Sequence, residues 1–169
     1  MLMRCASRLA RMARQMAKRS ILGAAVASAA LAVGPVHADI QCSIESVSPV
    51  TFPAYDVFRG VPTDAQGSVT YSCKGVGQRT VTIDLSAGGA GQFNPRQMRA
   101  SSQSLPYNLF LDAGRGTIWG DGGGGTARYG PVNPPNNSPV VVPIFGRIPQ
   151  GQNAAPGTYS DSVILTLNF

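Results

Sequence analysis

Apolar and polar residues alternate most cleanly at the end of the chain. In the stretch from Tyr159 to Phe169, the residues Tyr159, Val163, Leu165, Leu167 and Phe169 share one side of an extended backbone, and Ser162, Thr166 and Asn168 take the other. Period-2 alternation predicts a strand with one buried face, starting after Gly157. No turn or partner strand follows Phe169 in the sequence. The expectation is a final core strand with an uncovered edge, which invites another chain to pair there.

Further strands follow from the same periodicity. Ile44 to Phe52 reads as a first strand, interrupted at Pro49, since proline confines a strand to an edge or a bulge. Tyr55 to Ala65 reads as loop. Gly67 to Cys73 points Val69, Tyr71 and Cys73 one way, and Arg79 to Ala87 points Val81, Ile83 and Leu85 inward. Gly88 to Ser104 reads as a long loop carrying Arg96 and Arg99. Leu105 to Asp112 is a strand with Leu105, Tyr107, Leu109 and Leu111 on one face, and Thr117 to Gly120 a short one carrying Trp119. Asp121 to Pro139, rich in glycine and proline, reads as a surface loop, and Val140 to Ile148 returns to strand. Six or seven short strands without helices between them predict an all-β antiparallel sandwich. A closed barrel, which has no edges, fits the same pattern.

Charge changes the picture by its placement. Arg4, Arg8, Arg11, Arg14, Lys18 and Arg19 precede the first acid, Asp39, and from Asp39 onward eight bases balance eight acids. The basic balance therefore belongs to the leader, and a nucleic-acid partner gains no support from net charge. Residues 1–38 have the three parts of a secretory signal: a basic start, an apolar stretch from Ile21 to Val33, and Val36-His37-Ala38 as a small-residue cleavage site before Asp39. The apolar stretch is shorter than the ~20 residues of a membrane-spanning helix, so no transmembrane segment is expected. Residues 39–169 then form one domain.

Cleavage there removes Cys5 and the sole histidine, His37. Cys42 and Cys73 remain in a chain bound for an oxidising compartment, where they read as one disulfide. Closing that loop stabilises by roughly 3–4 kcal/mol in the chain-entropy model. Free or metal-binding thiols are the alternative, and two cysteines without histidine make a poor metal site. No cofactor is expected. Without histidine, Ser-His and Cys-His catalysis is excluded. Asp112 with Asp121 could form a carboxylate pair of the glycosidase kind, but both sit in Asp-Ala-Gly and Asp-Gly turn signals. No catalytic residue is assigned. The run Gly120 to Gly125 lacks the Lys-Ser/Thr ending of a phosphate loop. Arg96 and Arg99 offer either an anionic-glycan contact or bridges between loops, and Arg147 suits a structural bridge. Trp119 and Tyr107 suit core packing better than a sugar-stacking platform.

Seven segments in order carry a resemblance: Phe52 to Val57, Gly67 to Cys73, Leu85 to Met98, Leu105 to Asp112, Ile118 to Gly122, Gly146 to Gln152, and Gly157 to Val163. Together they resemble the spore coat protein U domain, the subunit type of archaic chaperone–usher pili. The resemblance implies an immunoglobulin-like sandwich lacking its final strand. A periplasmic chaperone lends such a subunit a strand, an outer-membrane usher assembles it, and a neighbouring pilus subunit then supplies the strand. Tyr159, Val163, Leu165, Leu167 and Phe169 would line the groove. Localisation would be the cell surface, reached through the periplasm, with adhesion to a surface or glycan as the outcome. Cleavage after Ala38 leaves Asp39-Ile40-Gln41 ahead of Cys42, too few for the ~5–10 residues of a donated strand. The expectation is a chain that receives a strand without giving one, as at a filament tip. A secreted, self-associating coat or matrix protein and a stand-alone carbohydrate-binding module are the alternatives.

Overall fold

The computed structural model describes residues 40–169, apart from Val76 and Gln78. The predicted leader, residues 1–38, and its cleavage point at Ala38 and Asp39 lie outside the described residues. Eight strands follow: β1 (Gln41–Ser48), β2 (Thr63–Lys74), β3 (Val81–Leu85), β4 (Arg96–Ala100), β5 (Gln103–Phe110), β6 (Tyr129–Val132), β7 (Val140–Ile148) and β8 (Leu165–Asn168). They form one sheet in the order β1-β2-β7-β5-β4 and a second in the order β6-β3-β8, with every strand pairing antiparallel. The described residues contain no helix. The two sheets stack as an immunoglobulin-like sandwich, and free outer strands in each rule out the closed barrel.

The core is built from the alternations visible in the sequence. Val69, Tyr71 and Cys73 of β2, with Val142, Ile144 and Ile148 of β7, face Val81, Ile83 and Leu85 of β3. Leu105, Tyr107 and Leu109 of β5 extend the layer, and Trp119 is fully buried, its Nε1 donating to the Ile83 carbonyl at 2.9 Å. After Ser48 the chain leaves the edge of β2 and crosses the inner face of the larger sheet. Two glycines make room for that crossing. A Cβ at Gly67 would fall 2.5 Å from the Ser48 carbonyl oxygen, and one at Gly146 would meet Val50 and the Phe52 ring at 2.6 and 2.7 Å.

Several boundaries differ from the expectations, each for a physical reason. Pro49 ends β1 at Ser48 instead of interrupting it. The Tyr55–Ala65 loop ends earlier, because β2 begins at Thr63. Thr117 to Gly120 is no strand; it makes isolated bridges from Ile118 to Phe110 and from Trp119 to Ala127. The Asp121–Pro139 loop contains β6, hidden in Tyr-Gly-Pro-Val because glycine and proline read as turn signals and here mark an edge strand. The Gly88–Ser104 loop contains β4, whose inward residues are Arg96 and Met98.

Arg96 is the largest correction. The sequence places it in a mobile loop, yet it is fully buried. Its Nε and Nη2 donate to the Ser86 carbonyl at 3.1 and 2.9 Å, Nη1 to Asn108 Oδ1 at 2.8 Å, and Nη2 also to the Trp119 carbonyl at 2.6 Å. Asn108 in turn donates to the Phe93 carbonyl at 2.9 Å. A buried cation is tolerated when oxygens surround it, and here one guanidinium ties the end of β3, β5 and the Trp119 segment together. Burial draws its pKa below the ordinary value, with Tyr107 and Asp161 pulling the other way. We expect Arg96→Met to cost about 2–5 kcal/mol of folding stability, because it strands buried carbonyls. Arg99→Ala, exposed on the same strand, should stay within about 0.5 kcal/mol. Urea unfolding of the two variants measures both.

Candidate functional site

Directly opposed residues of an antiparallel pair share a face of the sheet. On β1, Cys42 lies opposite Cys73, Ile44 opposite Tyr71 and Val47 opposite Val69, with a bulge between Ile44 and Ser46 that absorbs one residue. The bulge keeps Ile44 and Val47 on the core side although they are three positions apart. Tyr71 and Val69 are completely buried, whereas Ile44 is 40% exposed and Val47 52%. Beyond Cys42, the inner face of β1 is left about half open.

The last strand repeats the pattern. Leu165 lies opposite Leu85 and Leu167 opposite Ile83. Leu85 and Ile83 are buried, while Leu165 and Leu167 are half-buried and Phe169, next along the same side, is 52% exposed. Tyr159 and Val163 are half-buried against the core. The alternation of the final stretch is therefore present, with Thr166 and Asn168 outward and Asn168 Nδ2 donating to Asp84 Oδ2 at 3.1 Å. The ladder is shorter than Tyr159–Phe169: hydrogen-bonded pairing to β3 spans Leu165–Asn168, and Ser160 instead exchanges two backbone bonds with Arg99 of β4, at 2.8 and 3.1 Å. The final stretch thus leaves the outer edge of one sheet and joins the other.

β1 and β8 approach within 8 Å. Val50–Phe58, following β1, and Ala154–Asp161, preceding β8, wall a cleft of about 760 Å³ over Met98, Leu105 and Tyr107. Phe52 packs edge-to-face on Tyr107 at 6.0 Å. Asp161 is the residue that sequence reasoning missed. It falls on the inward side between Tyr159 and Val163, accepts from the Tyr107 hydroxyl at 2.8 Å and from Gly89 N at 2.8 Å, and so pins the approach to β8. Burial and that carboxylate push the Tyr107 phenol above its ordinary range, so it remains the donor. Its signal was parity: a single acid on an otherwise apolar face needs a partner.

The edges of the two sheets are unequally protected. Ser160 covers β4, Gly130 and Pro131 blunt β6, and the bulge and serines of β1 blunt that edge. The free edge of β8 has no proline, charge or bulge, and no partner among the described residues. Cys42 and Cys73 form a disulfide with Cα atoms 4.1 Å apart. It fastens to the sheet a strand that almost no packing holds.

The other candidates serve the scaffold. Asp112 accepts from Gly116 N and from Thr117 N (2.7 Å), which holds its carboxyl below the usual range, and Asp121 accepts from Gly123 N at 2.8 Å. Each closes its own turn. The glycine run is a turn braced by Thr126 Oγ1. Arg147 makes a two-pronged pair with Asp64 at 2.7 and 2.8 Å. Trp119 and Tyr107 are buried, so they present no stacking platform.

Comparison with known proteins points one way. The family model of the Spore Coat Protein U domain matches residues 27–166. Protein U of Myxococcus xanthus is 31% identical over 116 residues, 65% of this chain and 63% of that protein, so the chain spans just under two thirds of that relative. Among solved structures, a chain in the CsuC-CsuE chaperone–tip adhesion subunit pre-assembly complex from archaic chaperone-usher Csu pili of Acinetobacter baumannii superposes with a TM-score of 0.52 at 22% identity. The match covers 77% of this chain and 40% of that one. At this identity the likeness concerns the fold.

Replacing Cys42 and Cys73 by serine should lower stability by roughly 3 kcal/mol. The amides of β1 should lose hydrogen-exchange protection first, while those of β7 keep theirs. Exchange measured by mass spectrometry separates this outcome from a uniform loss across the sandwich.

Proposed function

Because the chain belongs to the Spore Coat Protein U domain family, we propose that it is a structural subunit of a surface pilus, completed by a strand from another protein. The incoming segment would run along the free edge of β8 and cover Ile44 and Val47 on one side and Leu165, Leu167 and Phe169 on the other. The observation that carries the proposal is the mismatch across the register: core-facing residues of both outer strands are half open beside partners that are sealed. Covering each such side chain is worth roughly 1 kcal/mol, and the backbone ladder adds to it. The role is structural rather than catalytic.

In this reading residues 1–38 direct export and residues 39–169 fold in the periplasm, where a chaperone lends the missing strand. An outer-membrane usher and a neighbouring subunit then take over, and the assembled subunit meets its surface or glycan target outside the cell. The name of the family also favours a second reading, a secreted coat protein that associates through the same seam without an usher. Dependence on a co-expressed chaperone separates the two.

The parity of β8 gives the sharpest test. Leu165→Asp or Leu167→Asp puts a carboxylate into an apolar seam and should weaken capture of the chaperone, or of a synthetic strand peptide, by about 100-fold. Thr166→Asp points outward and should change it by less than about threefold. Equal losses would show that capture does not depend on the inward face of β8. The strand peptide should also raise the melting temperature of the isolated chain, because it binds the folded state alone. A stable monomer indifferent to any such peptide would instead favour the carbohydrate-binding module.

Position in the filament follows from the exported amino terminus. Cleavage after Ala38 makes the chain an acceptor that does not donate, suited to a terminal place. The family match begins upstream of that point, at residue 27. Amino-terminal sequencing of the exported protein should find Asp39 first; a start ten or more residues ahead of Cys42 leaves room for a donor strand and removes the terminal assignment.

A further inference from the structure

β7 is apolar on both faces. Val142, Ile144 and Ile148 point into the core, and of the outward residues Val141, Pro143, Phe145 and Arg147 only the last is polar. The outer face of an antiparallel sheet ordinarily meets water and is polar, and Val141 is 63% exposed on it. Beside this apolar row, on β2, Thr70 lies opposite Val141, Ser68 opposite Pro143 and Gln66 opposite Phe145. Opposed residues of paired strands are near neighbours, so apolar surface and hydroxyl groups stand side by side.

Arg115 sets a charge at the end of that row. It has a side chain yet sits at φ 59°, an uncommon conformation for any residue but glycine. Its guanidinium stands 5.9 Å over the Phe145 ring. Nε donates to the Gly146 carbonyl at 3.3 Å and lies 3.3 Å from Asp64 Oδ1, while Nη1 donates to the Ala113 carbonyl at 2.8 Å. Asp64 is already matched, because Arg147 grips both of its oxygens. Asp112, in the same turn as Arg115, spends its carboxylate on Gly116 N and Thr117 N. Two guanidinium groups therefore share one carboxylate, and the surplus positive charge is held in place beside the apolar row.

We propose that this outer face binds an acidic polysaccharide. A sugar ring lies with its C–H face on Val141 and Pro143, its hydroxyls reach Thr70 and Ser68, and its carboxylate pairs with Arg115. The three kinds of group select the occupant. A uronic-acid ring carries an apolar face, a rim of hydroxyls and one carboxylate, and the sheet offers a counterpart to each. An acidic peptide matches the charge alone. The face lies on the outside of the sandwich, apart from the seam, so it gives the glycan target of the reading above a place without depending on strand acceptance.

The test titrates the exported protein with a hexamer of galacturonic acid, with the methyl ester of that hexamer, and with hexaglutamate. The acid hexamer should bind about tenfold tighter than either of the others, and added salt should shrink the gap. Arg115→Asn, a side chain that tolerates positive φ, should weaken the hexamer about tenfold, and Val141→Ser about threefold. Both should capture a synthetic strand peptide as the parent does. A parent chain that ignores the acid hexamer overturns the proposal. So does an ester or a hexaglutamate bound as tightly, which would reduce the contact to apolar surface or to charge alone, and so does parental binding by either variant. Strand-peptide capture by the parent, read on the same samples, reports separately on the strand-acceptor reading.

Discussion

A sandwich buries its core only where both layers are wide enough to cover each other. At ~4.8 Å between strands, five strands span ~19 Å and three span ~10 Å, so the smaller sheet leaves part of the larger one uncovered. On the β4 side the deficit is covered by the approach to β8, which lies along β4 at Ser160 before crossing to β3. Across the upper part, Val50 and Phe52 fill the space over Gly146. On the β1 side nothing among the described residues does the same. The open seam is the remainder of a mismatch in width, and its apolar lining belongs to a core that this chain builds on three sides.

Such a fold has to stay intact while one flank is wet. Its rigid features lie mainly away from the seam: the Arg96 hub, the Trp119 bond to Ile83, and the packed inner faces of β2, β7 and β3. Two devices reach the seam itself. The disulfide holds β1, which has one ladder and little packing to keep it in place. The Asp161–Tyr107 bond ties the approach to β8 to β5 at the wall of the cleft. Polar and covalent fixings stand where hydrophobic contact is missing, because neither depends on a dry neighbour.

Much of this was legible in the sequence, and the failures have physical causes. Alternation over nine residues with β-branched inward positions marks Val140–Ile148 at its true boundaries. The faces of the final strand and the Cys42–Cys73 pairing were legible for similar reasons. β4 is hidden because one of its two inward residues, Arg96, is a cation, and periodicity marks only apolar residues as inward. β6 was lost because glycine and proline mark both turns and edge strands. The exposure of Ile44 and Val47 could not be read at all: composition shows which side of a strand is apolar, but only the assembled sheets show whether anything covers it. The pairing of Asp161 with Tyr107, 54 positions apart, likewise needs the fold.

An uncovered apolar seam is an aggregation hazard, and the way its two sides are built limits that hazard. β1 offers an inner face, yet its bulge and serines spoil its outer edge for pairing with a chance neighbour. β8 offers a clean edge, yet only four residues of it are held in a ladder, which supports few hydrogen bonds. Under the strand-acceptor proposal, a segment that entered the seam would gain both at once, with backbone bonds from β8 and apolar contact from β1, while a strand meeting either side from outside would gain only one. Discrimination between the two would then come from dividing edge and face between two strands.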